Sequence, residues 1–478
     1  MTLHQNLIDG QWVAGSQSVP NINPSNLAEV IGEYARADHA QARAAIGAAR
    51  AAFPAWARGS LQERADLLDR VGEEILRRAE ELGTLLSREE GKTLPEGIGE
   101  AKRAGTIFRF FAGEVVRHSG ERVDSVRPGI VVEITREPIG VVGIITPWNF
   151  PLAIPAWKIA PALAYGNCVV FKPADLVPGC AWALADILVR AGVPKGVFNL
   201  VMGRGAVVGD AIVGSTDVDG VSFTGSVETG RTIARRMVER MGKIQLEMGG
   251  KNPLVVLDDA DLATAVNCAI NGAYFSTGQR CTASSRLVVT AGIHDRFVDA
   301  LRERLEKLVV DDALRKGTEI GPVVDQTQLD QDLAYITLGQ QEGARLAWGG
   351  ERLRRQHEGY YLAPALFTET SNAMRINREE IFGPVATVIR ARDYDEALAL
   401  ANDTPFGLSS GIVTTSLKYA HHFHRNAQAG MVMVNLPTAG VDYHVPFGGR
   451  KASSYGPREQ GRYAREFYTT VKTAYVAP

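Results

Sequence analysis

Residues 253–274 read PLVVLDDADLATAVNCAINGAY, and this stretch decides the fold class. The apolar run from Pro253 to Leu257 has the length of a buried strand. The acidic cluster Asp258-Asp259-Ala260-Asp261 follows it and is suited to cap a helix N-terminus. Ala263 to Tyr274 then continue with helical spacing. A strand that feeds directly into a helix is the repeating unit of α/β proteins with parallel sheets.

The same alternation of short apolar runs and longer amphipathic segments occurs elsewhere in the chain. The other runs of strand length are Val141 to Ile145, Cys168 to Phe171, Gly196 to Val201, Gly220 to Phe223 and Leu287 to Val289. Residues 61–117 are predicted to be mostly helical with a break near Gly91 to Gly99, and Gly120 to Glu137 alternates like an extended hairpin. The chain has 478 residues, more than the roughly 250 to 300 at which single cores stop growing, so we expect two or more domains.

The composition is that of an ordinary globular protein. Apolar residues make up 45%, charged residues 22%, and the formal net charge is -2, so nucleic acid is not an expected partner. Four cysteines without CxxC spacing favour a reducing compartment, and the N-terminus lacks signal-peptide features, so we expect a cytoplasmic location. Four prolines interrupt the apolar segment from Pro138 to Phe171, which argues against a membrane span. No metal site is expected, because a helix face is the simpler interpretation of His421, His422 and His424.

Three segments have features of a nucleotide site. A GxGxxxG that begins at Gly203 and includes Gly205 follows a predicted strand, but it is one residue longer than the dinucleotide fingerprint. In the second segment the chain turns through Gly225 and enters a helix near Ser226, where free amides can bind an anion. In the third, Lys172 and Asp175 end a buried strand, where they suit ribose hydroxyls. Taken singly, the glycines are equally explained by tight turns and the charged pair by a surface ion pair.

Cys281 is the cysteine whose setting suits a reactive thiol. It lies in the polar loop 276–284 beside Arg280, whereas the other three cysteines have apolar neighbours. The adjacent cation predicts a lowered thiol pKa. Glu247 ends a predicted strand before two glycines and is a candidate general base with a raised pKa. Asn149 follows a buried strand and can donate to an oxyanion, although an asparagine in a proline-rich turn is ordinarily a turn residue.

Seven motifs in a fixed order carry a family resemblance. They are PWNFP (147–151), FKPAD (171–175), FTGS (223–226), LEMGG (246–250), GQRC (278–281), EEIFGP (379–384) and PFGG (446–449). The ordered set resembles the aldehyde dehydrogenase superfamily over nearly the whole chain. This resemblance implies a doubly wound, Rossmann-like cofactor domain, an α/β catalytic domain and a small β oligomerisation hairpin, assembled as a homodimer or homotetramer. The implied boundaries are 1–118 and 138–249 for the dinucleotide-binding domain, 250–448 for the catalytic domain, and 119–137 with 466–478 for the oligomerisation element.

The resemblance also implies roles for individual residues. Cys281 would be the nucleophile, Glu247 the base that activates the deacylating water, and Asn149 the oxyanion donor, with Lys158 as the family's lysine beside the asparagine. Lys172 and Asp175 would meet the adenosine ribose, Ser226 the pyrophosphate, and Glu380 with Phe382 the nicotinamide half. The other implied cofactor residues are Thr146, Pro147, Trp148, Gly205 and Gly225. Apolar substrate walls are expected from Phe150, Trp157, Phe275 and Phe447, and Arg280 and Arg103 are candidates for binding a substrate carboxylate.

The implied reaction is oxidation of an aldehyde to a carboxylic acid through a cysteine thiohemiacetal and a thioester. NAD is the expected cofactor because Asp175 would repel a 2′-phosphate. NADP is the alternative, because Asp175 is shorter than the glutamate that many members carry there. Residues 435–440 and 451–461 resemble members that convert 2,5-dioxopentanoate (α-ketoglutaric semialdehyde) to 2-oxoglutarate. An extra Pro457 leaves the register of Glu459 open. The alternatives are another aldehyde such as succinic semialdehyde, a cysteine hydrolase or acyltransferase, and a noncatalytic structural or binding protein.

Overall fold

The computed structural model describes residues 2–117 and 119–477. The strands are β1 (Leu3–His4), β2 (Asn6–Ile8), β3 (Gln11–Val13), β4 (Gln17–Asn23), β5 (Asn26–Arg36), β6 (Glu121–Asp124), β7 (Val131–Pro138), β8 (Val141–Ile145), β9 (Cys168–Lys172), β10 (Phe198–Leu200), β11 (Gly220–Thr224), β12 (Lys243–Glu247), β13 (Pro253–Val256), β14 (Arg286–Thr290), β15 (Arg345–Trp348), β16 (Ala365–Thr368), β17 (Val385–Ala391), β18 (Ser409–Val413), β19 (Met431–Val434), β20 (Ser454–Tyr455) and β21 (Thr469–Val476).

The helices are α1 (His39–Arg58), α2 (Leu61–Arg77), α3 (Ala79–Glu90), α4 (Leu94–Val116), α5 (Ala153–Ala164), α6 (Pro178–Arg190), α7 (Asp210–Gly214), α8 (Val227–Glu239), α9 (Leu262–Tyr274), α10 (His294–Glu306), α11 (Gln326–Gln341), α12 (Arg375–Arg378), α13 (Tyr394–Asn402), α14 (Leu417–Asn426) and α15 (Arg465–Tyr468). A π-helical turn spans Gly205–Gly209, and 3₁₀ turns span Phe275–Gly278, Lys451–Ser453 and Gly461–Ala464.

The first large sheet has a parallel centre in the order β12-β11-β8-β9-β10. Antiparallel strands close both sides, with β2 and β3 beyond β10 and β20 beyond β12. Along the chain, β8 to β10 are added in one direction and β11 to β12 in the other, so the order reverses between β8 and β11. In sheets of this kind a ligand binds at the carboxyl ends of the strands beside such a reversal.

The apolar segment from Pro138 to Phe171 forms the middle of this sheet. It supplies β8, the helix α5 and most of β9, and every residue of α5 is buried. That burial explains why the segment is apolar throughout although prolines interrupt it. Among the described residues, no helix is long and apolar enough to cross a membrane.

The second large sheet has the order β15-β16-β17-β14-β13-β18-β19 and is parallel except for β15. The stretch 253–274 behaves as its pattern predicts: β13 lies in the sheet, and the Asp261 side chain caps α9 by accepting from the Thr264 amide at 2.8 Å. The hydrophobic clusters on this sheet are separate from that on the first sheet. The exposed histidines 421, 422 and 424 lie on α14, as predicted.

Two small sheets complete the fold. The sequence did not indicate the first, in which β5 lies between β1 and β4. The second contains the predicted hairpin of β6 and β7, and β21 pairs along β7 from Thr469 opposite Pro138 to Val476 opposite Val131. The proposed domain boundaries and the oligomerising role of this hairpin remain predictions.

Candidate active site

Cys281 lies in a tightly constrained loop between the 3₁₀ turn Phe275–Gly278 and the strand β14. It is half-buried, whereas Cys168, Cys180 and Cys268 are buried. Just before it, Ser276 and Thr277 have φ angles of 52° and 56°, values that side chains rarely adopt and that are characteristic of functional sites. The Asn252 side-chain amide donates to the Cys281 carbonyl at 2.8 Å and so fixes the other side of the loop.

The expectation that Arg280 lowers the pKa of the Cys281 thiol is wrong. Removal from water raises this pKa to about 12, and the carboxylates of Glu380 and Glu247 raise it further. The Arg280 guanidinium is instead engaged elsewhere: it lies 3.2 Å from Glu96 and donates to the Asn271 carbonyl at 3.2 Å. The thiol is therefore a protonated group with two carboxylates nearby.

Glu247 ends β12 inside the protein and has the raised pKa that its apolar setting predicts. Burial raises the pKa of its carboxyl well above the usual range, and the nearby Glu459 carboxylate adds to this effect. Its Oε2 accepts a hydrogen bond from the Ser454 hydroxyl. A side chain at Gly448 would place its Cβ 2.7 Å from Glu247 Oε1, so the glycine of the PFGG motif makes room for the carboxylate.

Asn149 contacts the loop that contains Cys281 directly. Its side-chain amide donates to the carbonyl of Gln279 at 2.9 Å, two residues before Cys281. Lys158 has other partners: its ammonium contacts the Glu459 carboxylate and donates to the Ser222 hydroxyl at 2.9 Å. The structure thus settles the register of Glu459, which is buried against Lys158 despite the extra proline before it.

The predicted cofactor residues follow the strands of the first sheet at one edge. Thr146, Pro147 and Trp148 follow β8, Lys172 ends β9, Gly225 and Ser226 follow β11, and Gly205 opens the π-helical turn after β10. Lys172 Nζ is buried, lies 3.7 Å from Asp175 and donates to the Pro173 carbonyl at 2.7 Å. Ser226 is exposed and caps α8, where its hydroxyl accepts from the Thr229 amide at 3.3 Å.

Glu380 and Phe382 lie just before β17 of the second sheet and contact residues at this edge of the first sheet. Glu380 Oε1 accepts from the Gly250 amide at 2.7 Å, and burial raises the pKa of this carboxyl to about 7. The Phe382 ring meets the Trp148 ring edge-on at 5.4 Å between centroids. Residues of the EEIFGP and PWNFP motifs are therefore neighbours in space.

A cavity of about 300 Å³ opens onto Cys281. Its walls include the predicted Phe150, Trp157 and Phe447, and the Trp157 and Phe447 rings stack at 5.4 Å. Both candidate arginines, Arg103 and Arg280, also line it. Phe275, the other predicted wall residue, is not among the described lining residues and instead packs against the core of the second sheet.

Three charged residues of the lining were missed by the sequence-based prediction: Lys92, Glu96 and Glu100. They lie at the start of α4 and just before it, in a charged helical stretch without a recognisable motif. Charged residues on a helix are ordinarily solvent-exposed, so the sequence contained no local signal for their burial.

A sequence model of the aldehyde dehydrogenase family matches residues 12–474. The chain belongs to the aldehyde dehydrogenase family. Alpha-ketoglutaric semialdehyde dehydrogenase of Bacillus subtilis is 43% identical to it over 99% of this chain and 98% of the relative. Alpha-ketoglutarate semialdehyde dehydrogenase of Haloferax volcanii is 41% identical over 98% of both chains. The crystal structure of betaine aldehyde dehydrogenase of Staphylococcus aureus in complex with NAD+ superposes with a TM-score of 0.97, 36% identity, and coverage of 99% of this chain and 95% of that one.

These matches confirm the predicted fold and reaction class. This aldehyde dehydrogenase carries out NAD(P)-dependent oxidation of an aldehyde by means of a catalytic cysteine. A noncatalytic protein and a cysteine hydrolase or acyltransferase, the alternatives from outside this class, are thereby set aside.

Proposed function

We propose that this aldehyde dehydrogenase oxidises 2,5-dioxopentanoate to 2-oxoglutarate with NAD, and that Cys281 is the nucleophile. The observation that carries this proposal is the cation Arg103 on the wall of the cavity that contains Cys281. One guanidinium nitrogen donates to Gln460 at 3.1 Å, while Nε is buried and has no partner among the described residues. A guanidinium in this state offers charge-assisted hydrogen bonds to a carboxylate.

The charge balance of the cavity also favours an anionic substrate. The other charged lining residues form two pairs: Lys92 with Glu100 at 2.8 Å, and Arg280 with Glu96 at 3.2 Å. Arg103 is then the cation without a carboxylate of its own in the lining: of its two carboxylate neighbours, Glu100 is bonded to Lys92, and Asp442 is exposed to solvent outside the lining. Arg103 is accordingly the better of the two arginine candidates.

The relatives differ in the charge of their substrates. The Bacillus and Haloferax relatives are named for α-ketoglutaric semialdehyde, which carries a carboxylate, whereas betaine aldehyde carries a quaternary ammonium. A half-buried cation on the cavity wall attracts the former and repels the latter. Succinic semialdehyde is the second candidate, because it carries a carboxylate as well.

The residues at the edge of the first sheet fit NAD. A strand-order reversal, a buried cation at the end of β9 and the free amides of the α8 N-terminus are features that bind a dinucleotide. We expect Lys172 and Asp175 to hold the adenosine ribose, Ser226 to lie near the pyrophosphate, and Glu380 with Phe382 to hold the nicotinamide half. When bound, NAD supplies the hydride acceptor. The Asp175 carboxylate favours NAD over NADP by repelling a 2′-phosphate.

In the mechanism that we propose, the Cys281 thiol first releases its proton to water, and the thiolate then adds to the aldehyde carbonyl. The Asn149 amide and the Cys281 backbone N–H then stabilise the oxyanion of the thiohemiacetal, a type of interaction that typically contributes about 3 to 4 kcal/mol. Loss of the hydride gives a thioester on Cys281. Glu247 accepts a proton from the water that hydrolyses the thioester, and its raised pKa makes its carboxylate a stronger base than that of an ordinary glutamate.

The test measures the formation of reduced cofactor from NAD or NADP with three aldehydes of different charge. They are the anionic 2,5-dioxopentanoate, the neutral propanal and the cationic betaine aldehyde. We expect 2,5-dioxopentanoate with NAD to give the highest kcat/KM, and Cys281→Ala to abolish turnover while the protein stays folded. Arg103→Met should lower kcat/KM for 2,5-dioxopentanoate by about 10- to 100-fold, the effect of losing a hydrogen bond to a charged group. Its kcat/KM for propanal, which has no carboxylate, should stay within twofold.

Arg109→Met is the matched control, because Arg109 lies on the same helix but pairs with Asp69 at the surface at 3.2 Å. It should leave both substrates unchanged. A wild-type preference for betaine aldehyde, or equal loss for both aldehydes in Arg103→Met, would overturn the assigned substrate class. Absence of cofactor reduction with every aldehyde would overturn the activity itself.

A further inference from the structure

The start of α4 contacts both loops that carry the proposed chemistry. Lys92 precedes the helix, and Glu96 and Glu100 are four residues apart, so both carboxylates lie on one face of α4. All three side chains line the cavity next to Cys281. None of them belongs to a motif that carries the family resemblance.

Glu100 and Lys92 hold the loop that contains Asn149. Glu100 Oε1 accepts from the amides of Leu152 and Ala153 at 2.9 and 3.0 Å, at the beginning of α5. Glu100 Oε2 bonds to the Lys92 ammonium at 2.8 Å, and that ammonium donates to the Asn149 carbonyl at 2.6 Å. Asn149 is thus held at its backbone by Lys92, while its side-chain amide contacts the Cys281 loop.

Glu96 holds the loop that contains Cys281. Its Oε1 accepts from the amide and the hydroxyl of Ser276, both at 2.9 Å, and from the Arg280 guanidinium at 3.2 Å. Ser276 is one of the two non-glycine residues with a left-handed backbone just before Cys281. Such a conformation persists only where its surroundings hold it. One face of α4 therefore fixes both the loop that contains Asn149 and the loop that contains Cys281.

The Lys92–Glu100 pair is also nearly inaccessible to water, with the two side chains 1% and 2% exposed. A buried ion pair generally contributes little net stability compared with apolar residues of similar size. Stability alone is therefore a weak reason for its presence, and its contacts with Asn149 and α5 suggest a geometric role.

We propose that Lys92 and Glu100 are positioning residues that place the Asn149 amide over the Cys281 adduct. This inference rests on the proposed function, in which Asn149 is the oxyanion donor. A displacement of about 1 Å in a catalytic group can cost up to about 100-fold in rate. Loss of the pair therefore lowers kcat through Asn149, and the loss disappears when Asn149 has no amide.

The experiment is a double-mutant cycle on the full-length enzyme with saturating NAD and 2,5-dioxopentanoate. The combined variant Lys92→Met/Glu100→Gln removes both charges together and retains an oxygen for the α5 amides. We expect its kcat to fall about 10-fold or more. In an Asn149→Ala background, itself about 10²- to 10³-fold slower, the same two substitutions should change kcat less than twofold. A merely structural role predicts the same loss in both backgrounds.

Glu89→Gln is the matched control. Glu89 is a buried carboxylate that accepts from the Gly179 and Cys180 amides at the beginning of α6, at 2.6 and 2.7 Å. It should lower the unfolding temperature in the same way while leaving kcat at saturating NAD unchanged. If the combined variant fails to fold, Glu100→Asp retains the charge but withdraws the carboxylate by one methylene, and it should show the same dependence on Asn149.

The outcomes separate the two proposals. If Asn149→Ala leaves kcat unchanged, the oxyanion role fails and the positioning role fails with it. If Asn149→Ala is slow but the Lys92 and Glu100 substitutions cost equally in both backgrounds, or cost nothing in either, only the positioning role is overturned.

Discussion

Cys281 has carboxylates, not a free cation, as its charged neighbours. Sequence adjacency pointed to Arg280, but Arg280 is engaged by Glu96, a residue from α4. Glu247 and Glu380, which raise the pKa of the thiol, come from other segments of the chain. Because its pKa is raised to about 12, the thiol of the cofactor-free protein is mostly protonated at neutral pH. The reactive thiolate is therefore a small fraction.

The alkylation rate of the cofactor-free enzyme should report this raised pKa. A thiol with a pKa of about 12, above the ordinary 9.0, gains thiolate about tenfold for each pH unit as long as the pH stays below that pKa. The rate of reaction with iodoacetamide should therefore rise about tenfold per unit from pH 7 to pH 10 without levelling. Mass spectrometry of the labelled Cys281 peptide measures it.

Cys281→Ala is the control for this measurement, because the remaining cysteines are buried and should stay unlabelled in the folded protein. A rate that levels near pH 8 would mean that a cation lowers the thiol pKa after all.

The turn after β12 lies against both Glu380 and the loop that contains Cys281. A side chain at Gly249 would place its Cβ 2.0 Å from Glu380 Oε2, and one at Gly250 would lie 2.7 Å from the Cys281 carbonyl. The two glycines of the LEMGG motif are therefore required by close approach.

Gly249→Ala should accordingly weaken NAD binding by displacing Glu380. Overpacking of this kind typically costs about 1 to 3 kcal/mol, so we expect the KM for NAD to rise about tenfold or more. Gly47→Ala in α1 is a suitable comparison, since a Cβ there meets nothing within 4 Å. It should leave the KM unchanged and slightly raise the unfolding temperature. An unchanged KM for NAD in Gly249→Ala would contradict the role of Glu380.

Features encoded within a short segment could be predicted from the sequence. The strand β13, the Asp261 cap of α9 and the hairpin of β6 and β7 all follow from local patterns. Contacts between distant segments could not be predicted in this way. The GxGxxxG around Gly205 became a π-helical turn, Phe275 packed into the core, and the partners of Arg280 and Lys158 came from α4 and the C-terminal segment.

The three-stranded sheet of β6, β7 and β21 has an unpaired edge among the described residues. Its edge strand β21 pairs with β7, and no partner lies along its outer side among the described residues. Val471 and Tyr475 on this strand are 54% and 61% exposed. An unpaired edge with exposed apolar side chains is a typical site for association with another chain.

We therefore expect a homodimer or homotetramer that uses β21. Val471→Lys combined with Tyr475→Lys should shift the mass measured by light scattering toward the monomer, because the two charges oppose burial. Leu417→Lys alters another exposed apolar residue, 76% exposed on α14, and should leave the mass unchanged. A wild-type protein that is monomeric at micromolar concentration would refute the expectation.

The antiparallel strand β20 joins the first sheet from the far end of the chain. Ser454, which hydrogen-bonds to Glu247, and Glu459, which contacts Lys158, both lie within the last 25 of 478 residues. During synthesis, a chain that has already made every other strand of the two large sheets still lacks these two partners. The buried Lys158 then has no carboxylate beside it, so its charge balance is completed only by a residue that is synthesised 301 positions later.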